Sequence, residues 1–219
     1  PSPPASVLQH ASAQRVSLQV SARDYRLDPV AGADIVQLSV EEECYRLPAG
    51  PLPIESVAGA VVLARRLVPE LSAGQIEATL AGVQVPGRFE QRQASPRLLL
   101  DVGHNPHAAH WLAGKLAALR SGHGVVRGIY AALADKDTAG VMNAMKPVVD
   151  TWYFAGLAMP RGLSAVELQG RAAEAGVGPG ETFASVAEAL EQARADAAPD
   201  DTIIVFGSFF TVAEARALC

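Results

Sequence analysis

From residue 86 onward the sequence alternates short apolar runs with Ala-rich stretches of helical period, and few folds accommodate that alternation. The runs "RLLLDV" (97–102), "VVRGIY" (125–130), "TWYFA" (151–155) and "TIIVF" (202–206) are dense in leucine, β-branched and aromatic residues. They are too short for buried helices, and near-continuous apolarity marks strands covered on both faces. With a further strand predicted at 88–93, they are separated by helical stretches near 106–120, 138–146, 164–175 and 184–197. Strands that alternate with helices of this length require right-handed crossovers. The expected class is therefore α/β: a Rossmann-like, mostly parallel sheet with helices on both faces.

Residues 1–85 follow another rule. A short helix is predicted at 5–13, a half-buried strand at 15–20 ("RVSLQV"), and extended segments around 24–27, 35–40 and 44–47. After "PAGPLP" come a helix over 55–67 and a second one that Ser72 caps and Gly82 stops. The change of pattern places a domain boundary at Val85–Pro86.

Hydrophobic residues make up 49% of the 219, enough for a substantial core. The net charge is −5 with Lys and Arg scattered, so no basic face is offered to nucleic acid. Apolar runs such as "VAGAVVLA" (57–64) fall short of a bilayer span, and "PSPPASVLQH" does not read as a secretory leader. A cytoplasmic protein with Cys44 and Cys219 as free thiols is expected. Because the chain begins with Pro1, it reads as a piece of something longer.

In a doubly wound sheet, ligands gather beyond the carboxyl ends of the strands. Asp101 falls there, and Asn105 with Pro106 already provides a helix cap and first turn, which leaves Asp101 spare for another task. His104, His107 and His110 follow at intervals of three. Steps of three turn by about 300° on a helix, so the outer pair diverges by about 120°. His104 also lies just before the Asn105–Pro106 cap, outside helical geometry. His104 is the loop residue suited to positioning a substrate or carrying a proton, and His107 and His110 read as ordinary helix residues. A metal-dependent hydrolase built on the three histidines, and a non-catalytic ligand-binding α/β module, stand as rival readings. Arg88 in "PGRFE" is a solvated charge, a local partner of Glu90, or a phosphate clamp, since the planar guanidinium fits phosphate oxygens. Lys136 in "ALADKDTAG", with Asp137 a candidate cap, and Ser208 in "GSFFTVAEA" again follow strands.

Taken together, "PGRFE", "DVGHNPHAA", "LADKD", "WYFAGLAMPRG" and the terminal "VFGSFFTVAEA" resemble the C-terminal half of bacterial folylpolyglutamate synthase/dihydrofolate synthase, within the Mur ligase superfamily. The likeness covers 86–219 with consistent spacing and extends less sharply over 1–85. It implies that 86–219 is a glutamate-ligase domain and that 1–85 is the last part of a central ATPase domain. It further implies ATP-dependent amide formation: a pteroate or folate carboxylate becomes an acyl phosphate, and L-glutamate attacks it. ATP and Mg²⁺ would be the cofactors, with the metal ligands upstream of this chain. Dihydropteroate or tetrahydrofolate and L-glutamate would be the substrates, and the protein a monomer. On this resemblance Asp101 meets the adenosine, Arg88 the ATP phosphates, and Ser56 stands where the family usually has an adenine-contacting Asn. His104 serves catalysis and, with Ser208 and Lys136, receives glutamate. No Gly-Lys-Ser/Thr phosphate loop occurs in the 219 residues, so a truncated, inactive ligase is expected.

Overall fold

The computed structural model describes residues 3–120, 122 and 124–219. The chain divides into two compact units, Pro1–Gln84 and Val85–Cys219.

The first unit holds helix α1 (Ala5–Ala13), an antiparallel meander of β1 (Tyr25–Pro29), β2 (Ile35–Val40) and β3 (Glu43–Pro48), then α2 (Ile54–Leu67) and α3 (Ala73–Ala81). Pairing β2 with β3 sets Leu38 opposite Tyr45 and Val36 opposite Leu47. Leu38, Val40, Tyr45 and Leu47 point to one face, where Val57, Ala58, Val61 and Val62 of α2 and Ile76 of α3 close the core. Ser72 and Gln75 form a reciprocal capping box at the start of α3, and Gly82 ends it, as the sequence predicts. The strand expected at 15–20 does not form. Those residues have no ladder partner, and Val16 is 56% exposed. The Asp24 carboxylate accepts the Val20 N–H at 2.7 Å, and Arg23 donates to the Leu18 carbonyl at 3.3 Å. Such local side-chain bonds compete with a strand for the same backbone groups.

The second unit is a six-stranded sheet of β4 (Glu90–Ala94), β5 (Arg97–Asp101), β6 (Val126–Tyr130), β7 (Thr151–Ala155), β8 (Glu181–Phe183) and β9 (Thr202–Phe206), ordered β4-β5-β9-β6-β7-β8. Only β4 runs antiparallel to its neighbour. The period of two sends Leu99, Tyr130, Trp152, Phe154, Ile204 and Phe206 toward α4 (Pro106–Leu119), α5 (Thr138–Met145) and α6 (Ala165–Glu174). Leu98, Leu100, Ile129, Tyr153, Ile203 and Val205 face α7 (Val186–Asp196) and α8 (Phe209–Arg216). Each large apolar side chain so buried contributes about 1.5–3 kcal/mol, so this double cover is the main source of the unit's stability.

Two differences from expectation matter. The 88–93 strand begins only at Glu90, which leaves Arg88 in a turn. The three-residue β8 escapes periodicity because it is too short to show one. The connections locate the crevice: β5 and β6 lead into α4 and α5 on one face, while β9, between them, leads into α8 on the other. Chain paths that part to opposite faces leave an opening beyond the carboxyl ends of these strands.

Candidate functional site

The turn ahead of β4 is built before any ligand need be considered. Gly87 adopts φ +70°, and a Cβ there would lie 2.9 Å from Val102 Cγ1 and 3.0 Å from Val212 Cγ1. Its carbonyl accepts the Val102 N–H at 2.8 Å, and its own N–H donates to Glu90 at 2.7 Å. Phe89 also has positive φ, and its N–H donates to Asp101 Oδ2 at 2.9 Å. Asp101 Oδ1 accepts the Gly103 N–H at 2.7 Å. Asp101 is therefore not spare. Its two oxygens tie the Arg88 turn and the loop after β5 to the end of the strand, and at 4% exposure it offers a ligand little surface. Burial pushes its carboxyl above the usual carboxylate value, and the Gly103 and Phe89 N–H groups and the nearby Arg88 charge pull back without cancelling that.

Arg88 is held differently. Its guanidinium lies 5.8 Å from the centre of the Phe209 ring. Among the described residues it makes no hydrogen bond or ion pair, so its donors are unspent. His104 lies 6.3 Å from the same ring, tilted by 49°. Its Nδ1 is 3.0 Å from the Val102 carbonyl oxygen, which requires the proton on Nδ1 and leaves Nε2 as a bare acceptor in the neutral ring.

The other two histidines do not join it. His107 and His110 are exposed on α4, where Asn105 caps the Ala108 N–H at 2.9 Å and Pro106 opens the helix. His110 Nδ1 turns back to the Pro106 carbonyl at 2.7 Å. Among the described residues no group of three or more His, Cys, Asp or Glu can hold a metal ion, which removes the ground for the metal-hydrolase reading.

Ser208 caps α8, accepting the Thr211 N–H at 3.0 Å. The buried Thr211 hydroxyl donates to the Ala131 carbonyl at 2.8 Å, so the 2.6 Å contact between Ser208 Oγ and Thr211 Oγ1 takes the single serine proton. Ser208 then presents a lone pair and no free proton. Lys136 pairs with Asp135 at 3.3 Å, and Arg161 reaches the same carboxylate at 3.4 Å. Asp137 caps α5 through the Gly140 N–H at 2.9 Å. Lys136 thus stands after β6 with a partner already in place. Ser56 lies exposed in the first turn of α2, in the other unit.

The convergence is of Arg88 and His104 on one ring, with Ser208 next to that ring in the chain. Sequence reasoning passed over Phe209 and Thr211. Nothing in the sequence around Phe209 marks it for a special role, and the offset of three from Ser208 to Thr211 is the available sign that the serine proton has a local acceptor.

Comparison with known proteins adds three likenesses. The dihydrofolate synthase/folylpolyglutamate synthase of Escherichia coli (strain K12) is 43% identical over 167 residues, 76% of this chain and 38% of that protein. The structure of E. coli FolC in complex with DHPP and ADP superposes with a TM-score of 0.88 at 36% identity, over 98% of this chain and 50% of that one. A bifunctional folylpolyglutamate synthase/dihydrofolate synthase with Mn, AMPPNP and L-glutamate bound gives 0.87 at 32% identity, over 98% and 50%. The chain therefore spans about half the length of the solved relatives, and less of the E. coli protein's sequence. Residues 87–209, which hold the turn, the histidine loop and the start of α8, match the Mur ligase, glutamate ligase domain, and the chain belongs to that family.

Proposed function

We propose that this chain forms the glutamate-receiving part of an ATP-dependent ligase that joins L-glutamate to a pteroate or folate carboxylate. The observation that carries the reading is the pairing, at the crevice of the sheet, of an unspent guanidinium with an acceptor-only imidazole nitrogen. The reaction needs both. The γ-phosphoryl group of ATP passes to a carboxylate oxygen, giving ADP and an acyl phosphate. The glutamate nitrogen then bonds to the acyl carbon, the carbon–oxygen bond to phosphate breaks, and the nitrogen gives up a proton.

Arg88 supplies a planar donor for phosphate oxygens. His104 Nε2 accepts a hydrogen bond from the incoming amino group and takes its proton as the amide forms. The Ser208 lone pair suits the same amino group, and Lys136, if it exchanges Asp135 for a ligand, suits a glutamate carboxylate. Asp101 serves ATP by holding the Arg88 turn, and Ser56 is assigned to the adenosine. The relatives named above carry ADP or AMPPNP, Mn and L-glutamate in their structures, which supports the cofactor and substrate assignment. Among the described residues no group of three or more His, Cys, Asp or Glu could hold a metal ion, so no residue of this chain is assigned to the divalent metal. We take the ligase to act as a monomer in the cytoplasm. The 219 residues lack a Gly-Lys-Ser/Thr loop, so the chain by itself should not turn over ATP.

The test is a chimera in which this chain replaces the matched portion of the E. coli enzyme. Glutamate-dependent ADP release with a dihydropteroate acceptor is expected, along with its weakening on His104→Ala. A folded chimera that releases ADP equally with and without glutamate would refute the reading.

A further inference from the structure

Phe209 is 59% exposed and its neighbour Phe210 49%, and a surface phenylalanine ordinarily calls for no explanation. Its surroundings are unusual. The Arg88 guanidinium lies 5.8 Å from its centre and the His104 ring 6.3 Å away, so two polar groups from separate loops meet one apolar ring. The backbone aims that ring. Gly207, at φ +117°, turns the chain out of β9, and Ser208 caps α8 so that Phe209 becomes its first residue. Three residues earlier, Phe206 is fully buried in the sheet, so the turn decides which phenylalanine is core and which reaches the surface.

Arg88 sets the problem that the ring solves. A guanidinium whose charge reaches Asp101 would be expected to collapse onto that carboxylate. Instead the carboxylate is occupied by two backbone N–H groups, and the cation rests by the ring face. An aromatic face attracts a cation without using any of its N–H groups, so it can orient the arginine while leaving every donor for a ligand. The contact with the imidazole limits His104 in the same way while its Nε2 stays open.

We propose that Phe209 is a positioning residue: its ring is the shared platform that holds Arg88 and His104 in place with their ligand-facing atoms free. The ligand half of this inference rests on the function proposed above; the positioning half does not.

The test uses the full 219-residue chain with Phe209→Leu and Phe209→Tyr. In the unliganded protein, NMR resonances of Arg88 Hε and His104 Hε1 should move in Phe209→Leu, as the ring current is lost, and stay near wild-type positions in Phe209→Tyr. Titrations with ADP and with L-glutamate should then give affinities roughly twofold to fivefold weaker in Phe209→Leu for both probes, restored in Phe209→Tyr. Resonances that ignore the loss of the ring would overturn the proposal. So would equal weakening by leucine and tyrosine, or loss of the native spectrum in Phe209→Leu, since an exposed ring that merely platforms two side chains cannot be essential to folding. A wild-type chain silent toward both probes would overturn the ligand half together with the proposed function, with the resonance shifts still deciding the positioning half.

Discussion

At the level of single residues, three histidines spaced three apart in sequence illustrate how the loop after β5 and the helix behind it divide their labour. His104 has one nitrogen committed to the Val102 carbonyl and one open, whereas His107 and His110 stand exposed on α4. In the E. coli chimera, His104→Ala should weaken glutamate use by about 1.5–3 kcal/mol, the value of a charge-assisted hydrogen bond and on the order of tenfold or more. His107→Ala and His110→Ala should change it little. Equal losses at all three positions would revive a shared role for the histidines. Asp101 makes a different prediction, because it accepts two N–H groups while burial raises its carboxyl. In Asp101→Asn one backbone N–H must face the amide NH₂, which costs about 1–3 kcal/mol. The pH dependence has a definite sign. With a raised native value, the folded chain keeps a proton that the unfolded chain has released, so this group's contribution to stability falls as pH rises through the interval above the ordinary carboxylate range. The gap between wild type and Asp101→Asn in urea unfolding should narrow over that interval. A gap that widened with pH would contradict the buried-carboxylate account.

Among the elements, the turns decide more than the strands do, and the same substitution separates a turn from a helix. A Cβ at Gly207 would strike the Ala131 carbonyl oxygen and approach the Tyr130 ring to 2.7 Å, at a φ that side chains rarely adopt. Gly207→Ala should cost at least about 2 kcal/mol. Gly170, exposed within α6 with open space where its Cβ would go, should gain about 0.5–1 kcal/mol on the same change. Urea midpoints of the two variants should move in opposite directions, and parallel shifts would refute the argument. The contrast also explains what could be read in advance. Buried parallel strands announce themselves by apolar runs, and caps such as Asn105, Asp137 and Ser72 by residue type and position, so β5, β6, β7, β9 and their helices are legible. The segment 15–20 has the alternation of a strand but no neighbour to pair with, and pairing is a tertiary fact. Within the site, Arg88 and His104 were visible as chemistry. Asp101 looked free because its partners, the Phe89 and Gly103 N–H groups, are set by a fold and not by a motif. Phe209 was invisible because an apolar residue at the start of a helix has an ordinary meaning until two polar side chains arrive beside it.

At the scale of the whole chain, the cores are separate. One buried cluster, from Leu38 to Ile76, closes entirely within the first unit; the two that flank the six-stranded sheet draw only on residues between Leu98 and Ala215. The first unit has a three-stranded sheet and a core cluster of nine buried residues, and so recovers less of its chain-ordering entropy than a sheet covered on both faces. The second unit also anchors its own edges. At the amino ends of β6 and β9, Asp201 accepts the Val125 N–H at 2.8 Å, the Ala198 N–H at 3.0 Å and Arg127 Nε at 3.1 Å. Burial pulls Asp201 upward, but these donors and the Arg127 charge outweigh it and hold it below the usual carboxylate value, so its contribution is present at neutral pH and fades as pH falls. From this we expect residues 85–219, expressed alone, to fold with one cooperative urea transition, and to keep amide protection in β5, β9 and β6 equal to that in the longer chain. In the full chain, amides of β2 and β3 should exchange before those of β9, because the smaller core opens at lower free energy. Hydrogen exchange followed by NMR reads both expectations. A piece spanning 85–219 that bound a hydrophobic dye and lost its side-chain dispersion would show that the sheet needs the first unit to close. Simultaneous exchange of β2 and β9 would show that the two cores unfold as one.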